Sequence, residues 1–435
     1  MLEILGYSSS TTPMPQGKTD RGSGRGLAQR VLHLINGEVF SGAERVQQLL
    51  GQQLGRFGFD PIFACLKPGK FPECSGLPAS QIWLEPMRHR RDIGVVSRLA
   101  RRSLDAEIQL LHAHTPRTGM IASLVSRRTG IPWVYHVHSP AARDSTRILQ
   151  NSINDVVERL SLMNASRIIT VSKSLRREML RRGWSRRRLV AIANGVAEQE
   201  SVFAIDRIDQ SEWTLGMVAL IRPRKGIEVL LQALKEVLVR NPNVRLDVIG
   251  SFETPEYESH VRELARQLNV ESAVRWKGFT RDVTHALRDL DALVLPSLFG
   301  EGMPMVVLEA LAVGLPVIAT RVEGTPEVVR DGREGYLAQP ADPISLGRTI
   351  EKMIGDRHVW CQMSQQAWFR HREAFSDVRM AQCLAHTYES TLREAAPRWI
   401  ETPTPVATNH RQRRKPQTQW VLPHARRLGS FLVDA

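Results

Sequence analysis

Short apolar runs alternate with amphipathic stretches along most of this chain, and the alternation occurs twice. RVLHLIN (30–36), PIFACL (61–66), IWLEP (82–86), IQLLHAH (108–114), WVYHVHS (133–139), RIITV (167–171) and VAIANGV (190–196) each read as a strand. A second series follows: TLGMVAL (214–220), VRLDVIGSF (244–252), AVRWKGF (273–279), DALVLP (291–296), LPVIAT (315–320) and GYLAQP (335–340). Continuous apolar runs of this length suit strands buried on both faces of a parallel sheet. The segments between them have helical spacing, most regularly in IEVLLQALKEVLVR (227–240). Residues 88–103 read as a basic helix, 172–183 as a helix capped by Ser172 or Ser174, and 344–354, 357–371 and 378–396 as a terminal helical group. The pattern predicts an α/β protein built from two Rossmann-like units.

Residues 197–213 are polar and patternless, which places a linker there and divides the chain into domains at 29–200 and 201–396. The Ser/Thr/Gly/Pro-rich start (1–28) and the Pro/Thr/Arg-rich tail (397–435), with its faintly amphipathic end at 421–433, are expected to be disordered. At 435 residues with 42% hydrophobic and 24% charged, the composition is that of a globular two-domain chain. No apolar run approaches the ~20 residues of a membrane span, and the N-terminus has no secretory pattern. Four scattered cysteines, without metal-ligand spacing, suggest a reduced cytoplasmic setting. The net charge of +14 is uneven: residues 29–200 carry 26 Lys and Arg against 14 Asp and Glu, and residues 201–396 carry 23 against 27. A basic first half is compatible with nucleic acid, an anionic membrane or a phosphate-bearing acceptor. No nucleic-acid module accompanies it, so nucleic acid is not expected as a partner.

The chemistry concentrates in residues 297–327. After the strand DALVLP comes a loop with Gly300, Glu301 and Gly302, then Pro304 opening a helix, then Gly314 and the next strand. That βα turn aims a helix N-terminus at the carboxyl edge of the sheet, where backbone N–H groups can hold a diphosphate. Glu301 and Glu309 would repel phosphate and accept from hydroxyls, which fits a nucleotide sugar; equally, both could be solvated helix charges. Arg222, Arg224 and Lys225 lie in the loop after the strand at 214–220, placed for phosphate charge or simply solvated. The D-x-D of Asp289 and Asp291 sits at a helix-to-strand junction, away from the carboxyl edge, and is read as coincidence. His112 and His114 share a sheet face, as do His136 and His138. No carboxylate or cysteine stands beside them, so no metal is expected.

Glu301-Gly302-Met303-Pro304 with Glu309, followed by Gly324-Thr325-Pro326-Glu327, resembles the EGxP…E signature of the family 4 retaining glycosyltransferases, which have the GT-B fold. The resemblance implies that Glu301 lies by the donor sugar and that Glu309 holds the ribose hydroxyls, with Gly302, Met303 and Pro304 around the nucleotide. Lys225-Gly226 matches the family's donor loop; its arginine six residues earlier is replaced by Ala219, for which Arg222 would substitute. Gly42-Ala43-Glu44-Arg45 resembles the GGxER loop by the reacting groups, with Ser41 in place of the first glycine. His138 matches the histidine that contacts the transferred sugar, and Gly278 and Phe279 precede the loop lining the nucleobase pocket.

The resemblance implies a retaining glycosyltransferase that takes a nucleotide sugar, needs no metal or other cofactor, and acts on a cell-envelope polysaccharide or lipid-linked glycan. It also implies that the last helices cross back to the first domain, and that the helix at 88–103 docks on the inner face of a membrane unless it is a solvated face. The alternatives are a nucleotide-sugar epimerase of the same fold and a non-catalytic basic membrane- or partner-binding protein.

Overall fold

The computed structural model describes residues 28–89, 92–139, 159–199 and 211–395. The expectations for residues 1–27, most of the linker (200–210) and the tail from 396, including its end at 421–433, fall outside the described residues, as do Arg90 and Arg91.

β1 (Gln29–Ile35), β2 (Phe59–Cys65), β3 (Ile82–Leu84), β4 (Leu110–Ala113), β5 (Trp133–Val137), β6 (Arg167–Thr170) and β7 (Leu189–Ala191) form one sheet, ordered β3-β2-β1-β4-β5-β6-β7. β8 (Trp213–Val218), β9 (Val244–Ile249), β10 (Val274–Gly278), β11 (Ala292–Leu295), β12 (Val317–Thr320) and β13 (Gly335–Ala338) form a second, ordered β10-β9-β8-β11-β12-β13. Both are parallel throughout. In each, the strand order reverses beside the first strand, between β1 and β4 and between β8 and β11. Ligands of such sheets bind at the carboxyl ends of the strands at that reversal. The two sheets are the paired Rossmann-like units of a GT-B fold.

The helices used below are α1 (Gly42–Gln53), α2 (Gly94–Asp105), α3 (Lys173–Arg181), α4 (Ile227–Arg240), α5 (Met305–Ala312) and α6 (Asp377–Ala395). α4 follows its apolar spacing: Ile227, Leu230, Leu231, Leu234 and Val237 all face the second core and are fully buried. α3 begins at Ser172, whose Oγ accepts the Leu175 N–H at 3.1 Å. α2 starts at Gly94, later than the expected 88. The Asp92 carboxylate takes the N–H groups of Arg88 and Gly94, both at 3.0 Å. Two arginines of its basic face are paired: Arg98 and Arg102 reach Glu85 at 3.4 and 2.8 Å, and the Arg102 guanidinium lies 4.1 Å over the Trp83 ring. No helix among the described residues is long and apolar enough to cross a membrane.

After the second sheet the chain returns. Phe375 O accepts the Val196 N–H at 2.9 Å and Val196 O accepts the Asp377 N–H at 3.0 Å. The crossing is so close that a Cβ on Gly195 would lie 2.3 Å from Ser376 O. α6 then packs Met380, Ala381, Leu384 and Tyr388 against Val31, Val46, Leu50 and Phe59 of the first unit. Gln53 Nε2 donates to Asp377 Oδ2 at 2.8 Å at the start of that helix. The first domain's core is therefore completed by the last helix.

Leu384 is fully buried in this seam, so Leu384→Ala is expected to cost about 2–5 kcal/mol of stability. Denaturant unfolding followed by near-UV circular dichroism would measure it. A cost below about 0.5 kcal/mol would show that the seam is not packed as described.

Candidate active site

The loops after β8 and β11 meet at the strand-order reversal of the second sheet. Lys225 closes a short 3₁₀ turn, Pro223–Lys225, and Gly226 follows at φ 73°. A Cβ at Gly226 would stand 2.2 Å from Pro296 O, so only glycine fits between the two loops. Lys225 Nζ lies 2.5 Å from Glu301 Oε1, and Ser297 Oγ donates to the same oxygen at 2.6 Å. Burial pushes the Lys225 ammonium below its ordinary pKa, with Glu301 opposing the shift. Arg224 donates to the carbonyls of Phe299 and Gly300, both at 3.2 Å, and stands 3.7 Å from Glu301. Arg222 is turned to Glu253, 3.8 Å away. Lys225 and Arg224 therefore gather at Glu301, while Arg222 does not.

Beyond Glu301 the loop runs against the first domain. A Cβ on Gly302 would come 2.1 Å from His138 O, so the absence of a side chain here permits contact between the two sheets' edges. Met303 is buried, its Sδ accepting the Asn194 N–H at 3.2 Å, and Pro304, also buried, precedes α5. Gly42 at the start of α1 faces Met305, with its Cβ position 3.3 Å from Met305 Cγ. Ser41, standing where the family pattern has glycine, donates from Oγ and N to Glu44 Oε2 at 2.6 and 3.2 Å.

Glu309, on α5, is buried. Its Oε1 is 3.2 Å from Arg45 Nη2, but it finds no donor with hydrogen-bond geometry. Burial pushes this carboxyl above its ordinary pKa, and Arg45 pulls the other way. Gly278, at φ 69°, ends β10, and Phe279 beside it is 70% exposed. Across the cleft the Glu327 carboxylate accepts the N–H groups of Lys173 and Ser174, at 2.8 and 2.5 Å, capping α3 from the other domain. A cleft of about 380 Å³ lies between Ser174, Glu178 and Arg181 on α3 and Phe299, Gly302, Arg321 and Glu323.

Asp291 has a structural role. Its Oδ2 accepts the Thr214 N–H at 2.7 Å and its Oδ1 faces Arg357 Nη1 at 2.8 Å.

On the first sheet the histidines gather. His33 pairs in register with His112, so those two share a face, and His114, His136 and His138 extend the group toward the cleft. The ring nitrogens form a chain: His138 Nε2 to His114 Nδ1 at 3.1 Å, His114 Nε2 to His33 Nδ1 at 3.0 Å, and His33 Nε2 to Tyr388 Oη at 3.4 Å. Tyr388 Oη then meets His112 Nδ1 at 2.6 Å. Neither the α6 tyrosine nor His33 was marked by local sequence. His33 could have been found from the pairing of β1 with β4. Arg45 as partner of Glu309 depends on contact across the cleft, which no local pattern signals.

Burial holds all five imidazoles neutral: His33 falls to about 3 and His138 to about 4, and His112, His114 and His136 fall well below the ordinary value. In the unfolded chain each titrates near 6.5, so below that pH the unfolded state binds protons that the folded state refuses. Stability is therefore unaffected above about pH 7. As pH falls from about 6.5 toward 4 it declines by about 1.4 kcal/mol per pH unit for each histidine involved. Thermal unfolding with EDTA present, from pH 8 to pH 4.5, is expected to show a flat Tm followed by a steep fall. A Tm unchanged between pH 7 and pH 5 would contradict the burial of these rings.

The family model described as Glycosyl transferase 4-like domain matches residues 41–195, and the one described as Glycosyl transferases group 1 matches residues 198–368. The D-inositol 3-phosphate glycosyltransferase of Streptomyces avermitilis is 25% identical over 309 residues, which is 65% of this chain; the matched stretch spans 66% of that relative. The capsular polysaccharide biosynthesis glycosyltransferase CapM of Staphylococcus aureus is 24% identical over 70% of this chain and 84% of its own length. Among solved structures, Anabaena HepE in complex with UDP and glucose superposes with a TM-score of 0.71 at 21% identity, covering 83% of this chain and 100% of that one. The two halves match in chain order on the two sheets described above, and the chain belongs to the group 1 glycosyl transferases (family 4), whose GT-B fold it has.

Proposed function

We propose that the protein is a retaining glycosyltransferase that takes a nucleoside-diphosphate sugar and transfers its sugar to an envelope glycan or lipid-linked intermediate. The observation that carries this reading is Glu309: a buried carboxylate facing the cleft from α5, with one oxygen that no donor satisfies. An acceptor so placed suits the vicinal hydroxyls of a ribose, which supply O–H donors. The diphosphate would then lie at the N–H groups opening α5 and beside Lys225 and Arg224, where positive charge is already concentrated without a metal. Glu301 and His138 flank the position of the sugar. UDP is the nucleotide we assign, since HepE binds UDP and glucose. The capsule-building role of CapM supports an envelope acceptor.

In the reaction we assign, the acceptor hydroxyl attacks the anomeric carbon on the face from which the diphosphate leaves. The C–O bond to phosphate breaks as the new glycosidic bond forms, and the hydroxyl proton passes to a phosphate oxygen. Negative charge grows on the leaving diphosphate, and Lys225 and the α5 N-terminus meet it there. This route needs no covalent nucleophile from the protein.

UDP at saturating concentration, with EDTA present, is expected to raise Tm by several degrees, and Glu309→Ala to abolish the shift. No shift with UDP or any other nucleotide would remove the donor-site reading. Lys225→Ala is expected to lower kcat by about 10²–10³-fold, and also to lower Tm in the absence of nucleotide, because it takes from the buried Glu301 its nearest cation. Retention is read from the anomeric configuration of the product by NMR.

A further inference from the structure

Three histidines at the cleft end of the first sheet carry more than a sugar contact. His114, His136 and His138 each bring one ring nitrogen within 4.8 Å of the other two. The rings of His136 and His138 stack at 4.4 Å and 22°, and those of His114 and His138 at 5.4 Å and 17°. His136 is 1% exposed, and neither of its ring nitrogens has a hydrogen-bond partner. A neutral imidazole always has one N–H and one lone pair, so His136 buries both unmet, an arrangement that native interiors rarely keep without a bound water or ion. A second trio, His33, His112 and His114, has similar spacing. Unlike the first, it has no ring with both nitrogens unmet: His33 engages His114 and Tyr388, and His112 engages Tyr388.

We propose that His114, His136 and His138 form a three-imidazole site for a divalent transition-metal ion of the zinc class. Metal–nitrogen bonds of about 2.0–2.1 Å in tetrahedral array need ligand atoms about 3.3 Å apart, which the 3.1 Å His114–His138 pair meets with slight opening. An all-imidazole set, with no carboxylate among the ligands, suits Zn²⁺, Co²⁺, Ni²⁺ or Cu²⁺ rather than Mg²⁺ or Ca²⁺. His138 is the half-buried member, so the ion enters from the cleft and its fourth position faces it. The outer shell is in place: with His114 Nδ1 on the metal, its Nε2–H donates to His33 Nδ1 at 3.0 Å, which fixes the ring's tautomer and orientation. The site is tested apart from the glycosyl-transfer reading, because binding is its own readout, although His138 also borders the position we assign to the sugar.

The test uses the full chain without an affinity tag, stripped with EDTA and dialysed, then titrated with Zn²⁺ by calorimetry and with Co²⁺ in the visible. One equivalent of Zn²⁺ with a micromolar or tighter Kd, and low-coordinate Co²⁺ d–d bands without a thiolate charge-transfer band, are expected. His136→Ala should weaken binding at least 10-fold, while His285→Ala on the surface should not change it. No stoichiometric binding by the wild type overturns the proposal. So does equal binding by His136→Ala, or a thiolate band that places the ion on a cysteine. Should His136→Ala fail to fold, the wild-type Co²⁺ spectrum and a Zn²⁺-dependent rise in Tm decide by themselves.

Discussion

Everything at the cleft depends on one close approach, that of the Gly302 backbone to the His138 carbonyl. With no Cβ at 302, the carboxyl edges of the two parallel sheets come into backbone contact. Groups that would otherwise face water then face each other. Arg45 of α1 reaches Glu309 of α5, and Glu327 reaches over the cleft to the first amides of α3. A Cβ at 302 would stand 2.1 Å from the His138 carbonyl oxygen, so any side chain there would force the two edges apart and strain these contacts.

That approach also sets the electrostatics. Glu301 and Glu309 are buried and Lys225 is partly so, and buried charges are tolerated only with a partner. Lys225 and Glu301 meet across the two loops of a single sheet, and Ser297 adds a donor to the same oxygen. Glu309 depends on the other domain, through Arg45, and keeps an oxygen without a donor. The second domain's pair is complete by itself, whereas Glu309 is completed from outside it.

The strands and the regular helices were legible because their information is local. Residues 227–240 show the apolar period that α4 then buries, and the apolar runs mark most strands to within two residues; the runs at 190–196 and 244–252 continue five and three residues past the ends of β7 and β9. The start of α2 was not legible, since it turns on Asp92 capping two backbone amides against a run of basic residues that reads as helix. In the cleft, Glu301, Glu309 and Lys225 stood out through a motif, and the structure brings Lys225 and Glu301 together. Arg222 also stood out, yet Glu253 holds it aside while its neighbour Arg224 takes the inner position. Loop cations two residues apart point in different directions, and only the turn geometry distinguishes them. Arg45, His33 and Tyr388 act through contacts between distant parts of the chain, which no window of sequence contains.

The passage of α6 onto the first domain has a consequence for synthesis. Tyr388 is 355 residues from the His33 ring it meets, and its neighbours on α6 cover Val31, Val46 and Leu50. At ~5–20 residues per second a ribosome needs about 20–70 s to make that interval. During that time the first sheet is already made, but its apolar flank has no cover, while the second sheet can close over its own helices as it emerges. The half of the protein made first is thus finished last, and for that interval the nascent chain presents a hydrophobic surface to the chaperones around the ribosome.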